Sequence, residues 1–335
     1  MSSAQPAAVA RVANLRVSFP TPEGVVQALR LVSLELAPGE VLALVGESGS
    51  GKTVLGLSLL GLLPAVARPI VTGAVEVAGI DMLNASEKSR RAVQRHLLGA
   101  VFQDPLTSLN PFLTIGDQLM EPLLVHERIS RAEARGRAVE LLEKVGIPDA
   151  AHRLSDYPHR FSGGMRQRVM IAMALIGNPK VLIADEPTTA LDATIQAQVL
   201  DLFRHIQTEF GISILLITHN LGIVAGMAER VAVMYAGRVV ESAATAELFA
   251  NPRHPYTLAL LKAVPRMGNG AQALASIGGE PPDLARLRSG CSFYDRCSFR
   301  EEKCKDQPPP LEPVSEGHFA RCWVDITAPS SSRDR

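Results

Sequence analysis

The sequence predicts an α/β fold built on a parallel sheet, and three segments carry that prediction: VLALV at 41–45, VLIAD at 181–185 and ISILLIT at 212–218. Each is short and apolar almost from end to end, as suits strands covered on both faces. Each is also followed at once by residues able to do chemistry: a glycine-rich loop, a carboxylate pair and a histidine. Ligands of open α/β sheets bind beyond the carboxyl ends of the strands, so these three places mark one candidate site.

Residues from about 11 to 45 read as strands and turns, with TPEG at 21–24 as a loop and PGE at 38–40 as a tight turn before the first core strand. GESGSGKT at 46–53 then fits the phosphate-loop pattern G-x-x-x-x-G-K-[ST]. Its glycines let the backbone curl, so that N–H groups along Gly46, Glu47, Ser48, Gly49, Ser50 and Gly51 can hold phosphate oxygens. Lys52 is expected to reach the β- and γ-phosphates, and the Thr53 hydroxyl to ligate Mg²⁺. The apolar segment from Val54 to Leu63 reads as a helix whose positive end faces the triphosphate.

Residues 84–99 and 130–146 carry charges between apolar positions, the pattern of amphipathic helices. VLIADEP at 181–187 places two carboxylates at a strand end. Asp185 suits Mg²⁺, a hard cation that takes oxygen ligands. Glu186 is placed to orient or deprotonate the water attacking a γ-phosphate, since phosphoryl transfer needs positioning and charge more than covalent chemistry. His219 ends the third strand, on the same sheet edge as Asp185. RVAVMY at 230–235, Ala-Gly and RVVES at 238–242 read as a hairpin.

After about Ala250 prolines multiply, and all four cysteines lie in this tail, spaced C-x5-C-x6-C-x17-C at Cys291, Cys297, Cys304 and Cys322. In a reducing compartment such a group points to metal before disulfides. The spacing fits neither paired zinc C-x2-C motifs nor ferredoxin runs, so iron–sulfur, zinc and free thiols all stay open on spacing alone.

The 335 residues carry a net charge of +0, so no basic field marks a nucleic-acid binder. No run approaches the ~18–20 apolar residues of a membrane span. MSSAQPAAVA lacks the basic start and apolar core of a secretory signal, and a soluble chain working in the cytosol with ATP is expected. No internal repeat is visible, which implies one nucleotide-binding unit.

FSGGMRQR at 161–168, lying between the phosphate loop and VLIADEP, resembles the signature of ABC-type ATPases. That resemblance implies a P-loop ABC-type nucleotide-binding domain over 11–250, with a RecA-like core, an antiparallel β subdomain and a helical subdomain at about 84–175. Ser162, Gly163, Gly164 and Gln167 then belong to the signature that meets the γ-phosphate held by a partner subunit. Gln103 in VFQDP resembles the Q-loop, which senses Mg²⁺ and the attacking water. Ala190-Leu191-Asp192 matches the D-loop at the dimer seam, His219 the switch histidine, and Phe19 the aromatic on which adenine stacks. The segment Asn110–Leu124 falls where the family docks a permease coupling helix. Phe161 in place of Leu, and Met165 in place of Gln, depart slightly from the common pattern.

His254-Pro255-Tyr256-Thr257 followed by the cysteines resembles the C-terminal extension of oligopeptide/dipeptide importer ATPases, covering 251–325 here. In that family the four cysteines can hold a 4Fe–4S cluster of structural role. Residues 1–10 and 326–335 are expected as unstructured tails. The signature and ADEPTTALD are most like the D-type subunit, which pairs with an F-type ATPase as a heterodimer. The expectation is therefore an ATP-hydrolysing subunit that powers di- or oligopeptide import. Its partners are a second ATPase, two transmembrane permeases and, indirectly, an extracytoplasmic peptide-binding protein; it sits peripherally on the cytoplasmic membrane face. The rivals are a soluble ABC ATPase acting on nucleic acid or ribosomes, and import of a non-peptide solute such as nickel. Against the first, the chain shows neither a long coiled coil nor a second ATPase unit. A GTPase is disfavoured because no N-K-x-D element follows the loop.

Overall fold

All three apolar runs fold as strands in which every residue is buried: Val41–Val45, Val181–Asp185 and Ser213–Thr218. The computed structural model describes residues 7–103, 108–189, 191–263 and 277–327. The first elements are β1 (Ala10–Thr21), β2 (Gly24–Leu36), β3 (Val41–Val45), α1 (Lys52–Leu60), β4 (Ile70–Val77) and β5 (Ile80–Asp81). The middle holds α2 (Glu87–His96), β6 (Leu98–Val101), α3 (Ile115–His126), α4 (Arg131–Lys144), α5 (Gly163–Leu175) and β7 (Val181–Asp185). Then come α6 (Ala193–Phe210), β8 (Ser213–Thr218), α7 (Leu221–Met227), β9 (Arg230–Tyr235), β10 (Arg238–Ala244), α8 (Thr245–Ala250) and α9 (Pro255–Ala263). Near the C-terminus lie β11 (Glu312–Ser315) and β12 (His318–Ala320).

The chain divides into two compact units. The first comprises Met1–Ala10, Glu35–Glu40 and Glu76–Ile217. Here β6, β7 and β8 pair in parallel, with Val101 opposite Ala184 and Asp185 opposite Ile217. The charged stretches at 84–99 and 130–146 yield α2 and α4, each opened by a serine, Ser86 or Ser130, that accepts a backbone N–H. The first stretch ends early, because Leu98–Val101 (LGAV) is apolar enough to be buried as β6 beside β7. Within the expected N-terminal tail, Val9 donates to the Leu36 carbonyl and accepts from the Ala78 N–H.

The second unit comprises Arg11–Leu34, Val41–Val75 and Thr218–Arg335. Residues 251–325, read as an extension, thus fall in the unit that holds the phosphate loop. β3 pairs in parallel with β9, Val45 opposite Val233, while β9, β10, β12 and β11 are successive antiparallel neighbours. The β9–β10 hairpin turns at Ala236 and Gly237, with φ of 47° and 75°, the left-handed pair that matches strand twist. Glu241 on β10 is fully buried and accepts from the backbone N–H of Arg253 and His254 and from His318 Nε2, at 2.6, 2.9 and 2.8 Å. These contacts fasten the start of the expected extension, and β12, to the hairpin. β1 alternates buried and exposed residues, the pattern of a sheet wetted on one side.

Residues 1–6 and 328–335 of the expected tails, and Ala190 of the D-loop segment, lie outside the described residues. Among the described residues no helix is long and apolar enough to cross a membrane.

Candidate functional site

The phosphate loop runs from the end of β3 into α1. Gly46 has φ 156°, and a Cβ there would stand 2.2 Å from the Met234 carbonyl oxygen, so only glycine fits the turn. Gly51 has φ 104°, and a Cβ would meet the Ala28 carbonyl oxygen at 2.6 Å. Gly51 caps α1 without any side-chain hydrogen bond, and the first turn holds no acidic residue. The helix therefore presents its positive end and its first N–H groups to an incoming anion. Lys52 Nζ donates to the carbonyls of Gly46 and Glu47 at 2.8 and 2.9 Å, and Thr53 next to it is exposed. The Ser50 hydroxyl is buried with no hydrogen-bond partner among the described residues. Ser48 and Gly49 are exposed at the tip of the loop.

Glu47 differs from its neighbours. Its N–H donates to the Tyr256 hydroxyl at 2.8 Å, and its carboxylate takes Arg296 in a fork at 2.6 and 2.9 Å. The sequence reading placed Glu47 among the phosphate-holding residues; here its N–H and side chain serve to anchor the loop. Arg296 and Tyr256 escaped sequence reasoning as site residues, since neither belongs to a phosphate-binding pattern. Also in this unit, His219 is exposed between β8 and α7, two residues past Ile217, the register partner of Asp185. Phe19 is half-buried near the end of β1.

In the first unit, β7 delivers Asp185, nearly buried, and Glu186 directly after it. Glu186 has φ 50°, a left-handed backbone held by its N–H to the Ile217 carbonyl at 2.9 Å. Such strain in a non-glycine residue clusters at functional sites. Its carboxylate accepts from the Thr189 hydroxyl at 2.9 Å. Gln103 is exposed just past β6, the parallel neighbour of β7, so it leaves the same sheet edge as the carboxylates. Ser162 caps α5 by accepting from the Met165 N–H at 3.3 Å. Gly163 and Gly164 form the first turn of α5, and a Cβ on Gly164 would come within 2.8 Å of Ile195 Cγ2. Asp192 caps α6 through the N–H groups of Thr194 and Ile195 at 3.1 and 3.0 Å. Gln167, read as a nucleotide contact, points into the core and donates to the Pro187 carbonyl at 2.6 Å. A separate cavity is lined by Phe102, Pro122, Leu123, His126, Met170 and Met173, and Phe112 is 87% exposed.

Back in the second unit, Cys291, Cys297, Cys304 and Cys322 are free thiols lining one small cavity. Cys297 and Cys322 each receive a backbone N–H from two residues onward, at 3.4 Å. Burial pushes their thiols up, to about 11 for Cys297 and about 12 for Cys322, and raises Cys291 as well. Yet among the described residues no group of three or more His, Cys, Asp or Glu could hold a metal ion. Neither the iron–sulfur nor the zinc reading of these four cysteines gains support from that arrangement. Four thiols on one cavity are the donor type that an iron–sulfur core takes. For Mg²⁺, the Thr53 hydroxyl and the Asp185 carboxylate are hard oxygen donors of the right kind.

Relatives of known kind match nearly the whole length of the chain. The family described as "ABC transporter" matches residues 29–189, and "Oligopeptide/dipeptide transporter, C-terminal region" matches residues 240–304. The dipeptide transport ATP-binding protein DppD of Bacillus subtilis is 49% identical over 316 residues, 94% of each chain. The oligopeptide transport ATP-binding protein OppD of Salmonella typhimurium is 47% identical over 323 residues, 96% of each. Among solved structures, an ATP-binding cassette dimer in a post-hydrolysis state with ADP and phosphate superposes with TM-score 0.63 at 28% identity, covering 70% of this chain and 98% of that one. The cbiO1 protein of Clostridium perfringens, part of the transporter complex cbiONQ, gives TM-score 0.63 at 30% identity over 72% of this chain and 91% of its own.

Proposed function

The chain belongs to the ABC transporter ATP-binding family, in its oligopeptide/dipeptide branch, and from that premise we propose how its residues work. It is an ATPase whose hydrolysis powers peptide import. The observation that carries the mechanism is the curled loop at the uncapped start of α1, with Lys52 beside it. Loop and helix start take the phosphates, Lys52 neutralises the β- and γ-oxygens, and Phe19 stacks on adenine. Thr53 and Asp185 would hold Mg²⁺, which supplies charge neutralisation on the transferred phosphoryl group. Glu186 takes the proton of the attacking water, while Gln103 and His219 orient that water and the γ-phosphate.

Ser162, Gly163 and Gly164 present the start of α5 to the ATP held by a second ATPase subunit, with Asp192 at the seam. We assign that subunit to the F-type, giving a heterodimer. Closure of the two subunits on ATP drives two permeases between inward- and outward-facing states, and hydrolysis resets them. The work comes from the greater affinity of ATP for the closed state, since a ligand shifts an equilibrium only by differential binding. The cavity beside Phe102 and Leu123 and the exposed Phe112 support permease docking on that face, and so a peripheral position on the cytoplasmic side of the membrane. Peptide reaches the permeases from an extracytoplasmic binding protein. Cys291, Cys297, Cys304 and Cys322 would hold a 4Fe–4S cluster, which supplies a covalent cross-link to a segment with little secondary structure.

The test is to isolate the tagged chain from mild-detergent extracts of its native membranes and identify what accompanies it. Two permeases and a second ATPase are expected. A chain found only in the soluble fraction, alone or with nucleic-acid or ribosomal partners, would overturn the permease assignment.

A further inference from the structure

Glu47 is the point at which the phosphate loop meets the cysteine-bearing segment, and every polar group of the residue is engaged. Its carboxylate accepts Arg296 Nη1 and Nη2 at 2.6 and 2.9 Å, and its N–H donates to the Tyr256 hydroxyl at 2.8 Å. Its carbonyl accepts from Lys52 Nζ at 2.9 Å and from the Ser50 N–H at 3.2 Å. One residue therefore links the segment to the lysine that faces the phosphates.

Arg296 ends a single 3₁₀ turn, Tyr294–Arg296, and is held from many sides. Its side chain is only 4% exposed. Beyond the two bonds to Glu47, Nε donates to Gly278 O at 2.9 Å, Nη2 to Ile277 O at 3.2 Å and Nη1 to Tyr235 Oη at 3.3 Å. All five donors of the guanidinium are thus used, in a fork that lysine cannot reproduce. Its backbone is set by the thiol segment: Cys291 N–H donates to Cys304 O at 2.8 Å, Tyr294 N–H to Cys291 O at 3.1 Å, and Cys297 N–H to Tyr294 O at 3.2 Å. A displacement of those cysteines moves the Arg296 turn, and the turn moves Glu47.

We propose that Arg296 is a positioning residue for nucleotide binding, coupling the fold of the four-cysteine segment to the shape of the phosphate loop through Glu47. The proposal rests on the reading of 46–53 as the ATP-binding loop. In this two-pronged pair the Arg296 side chain is 4% exposed and the Glu47 side chain 26%, so loss of one end leaves the other charge partly desolvated and uncompensated, and it moves to find water. Here the group that would move carries the carbonyl that Lys52 uses. The segment thereby acts as a brace whose integrity is reported to the ATP site across most of the chain.

The experiment uses full-length protein purified anaerobically, titrated with N-methylanthraniloyl-ATP and Mg²⁺, with thermal unfolding recorded in parallel. Arg296→Met and Glu47→Gln are each expected to weaken binding about tenfold, the scale of one lost charge-assisted contact. The double variant should bind no more weakly than the weaker single one, and Arg296→Lys should recover only part of the loss. Arg288→Met, which removes an exposed pair with Asp295, should bind as wild type does. Cys297→Ser should weaken binding in the wild-type background and add little to Arg296→Met. Folded Arg296→Met and Glu47→Gln proteins with wild-type affinity, or strictly additive effects of the two, overturn the proposal. Should Arg296→Met fail to fold, wild-type affinity in Glu47→Gln alone overturns it. A wild-type protein that binds no nucleotide overturns both this proposal and the loop assignment, whereas normal wild-type binding with indifferent variants overturns this one only.

Discussion

Gln167 Nε2 donates to the backbone carbonyl of Pro187 at 2.6 Å, tying the signature helix α5 to the peptide next to Glu186. The Gln167 side chain is 1% exposed and Glu186 sits in left-handed backbone, so the bond braces a strained turn from inside. Loss of either end loosens the turn that carries Glu186, the proposed base.

Gln167→Leu removes the donor and leaves the Pro187 carbonyl buried without it. A stability loss of about 1–3 kcal/mol is expected in urea titration. The kcat for ATP should fall, with KM nearly unchanged, because Glu186 is displaced while the phosphate loop is not. Unchanged kcat in a folded variant would count against the brace.

Glu186→Gln keeps the size and hydrogen-bonding shape of the side chain and loses its basicity. Nucleotide binding is expected to persist while turnover drops by roughly 10²–10⁴-fold. Wild-type turnover would remove Glu186 from the catalytic role.

Lys52→Ala deletes the ammonium that bridges the Gly46 and Glu47 carbonyls. Nucleotide affinity, measured by equilibrium titration, should fall at least about tenfold. The loop assignment fails if affinity is retained.

His254 gives a pH signature. Burial pushes its imidazole from 6.5 down to about 4, against the pull of Glu241 and with a smaller downward push from Arg321. Its Nδ1 accepts the Tyr256 N–H at 3.1 Å, which requires the neutral ring. The unfolded chain therefore takes up the proton first as pH falls. The contribution is intact above about 6.5 and is lost progressively toward pH 4, on the order of 3 kcal/mol in all. His254→Asn retains an acceptor and cannot titrate. Its urea midpoint should fall less than that of wild type between those pH values, and parallel curves would refute the assignment.

The four cysteines make the simplest optical test. Anaerobic purification should give a coloured, iron-containing protein, with the colour lost on replacing Cys322 by serine. A colourless, iron-free wild type with four titratable thiols ends the cluster proposal.

Where local chemistry determined structure, the sequence was readable. The apolar runs became β3, β7 and β8, the glycines of 46–51 became the curled loop, and Ala236-Gly237 became the hairpin turn. The roles of Glu47 and Gln167 were not readable, because partners 249 and 20 residues away decide them. Nothing in the local pattern of LGAV separates a helix end from a short strand; pairing with β7 decides it. Arg296 gave no signal beside Cys297, because its partner Glu47 lies 249 residues away. Glu241 likewise gave none, since a strand carboxylate announces burial only through the groups that reach it. The turn between β11 and β12, with Gly317 at φ 67°, could have been anticipated from Glu316-Gly317.

The attachment of β12 to β10 also has a consequence for biosynthesis. Glu241 leaves the ribosome 77 residues ahead of His318, its buried partner. At ~5–20 residues per second that is a wait of roughly 4–15 s. During it the outer border of β10 has no neighbouring strand, a template on which another nascent chain can pair. Premature termination within the last 20 or so codons would make that interval permanent, so faithful completion of translation matters as much to this ATPase as its catalytic residues do.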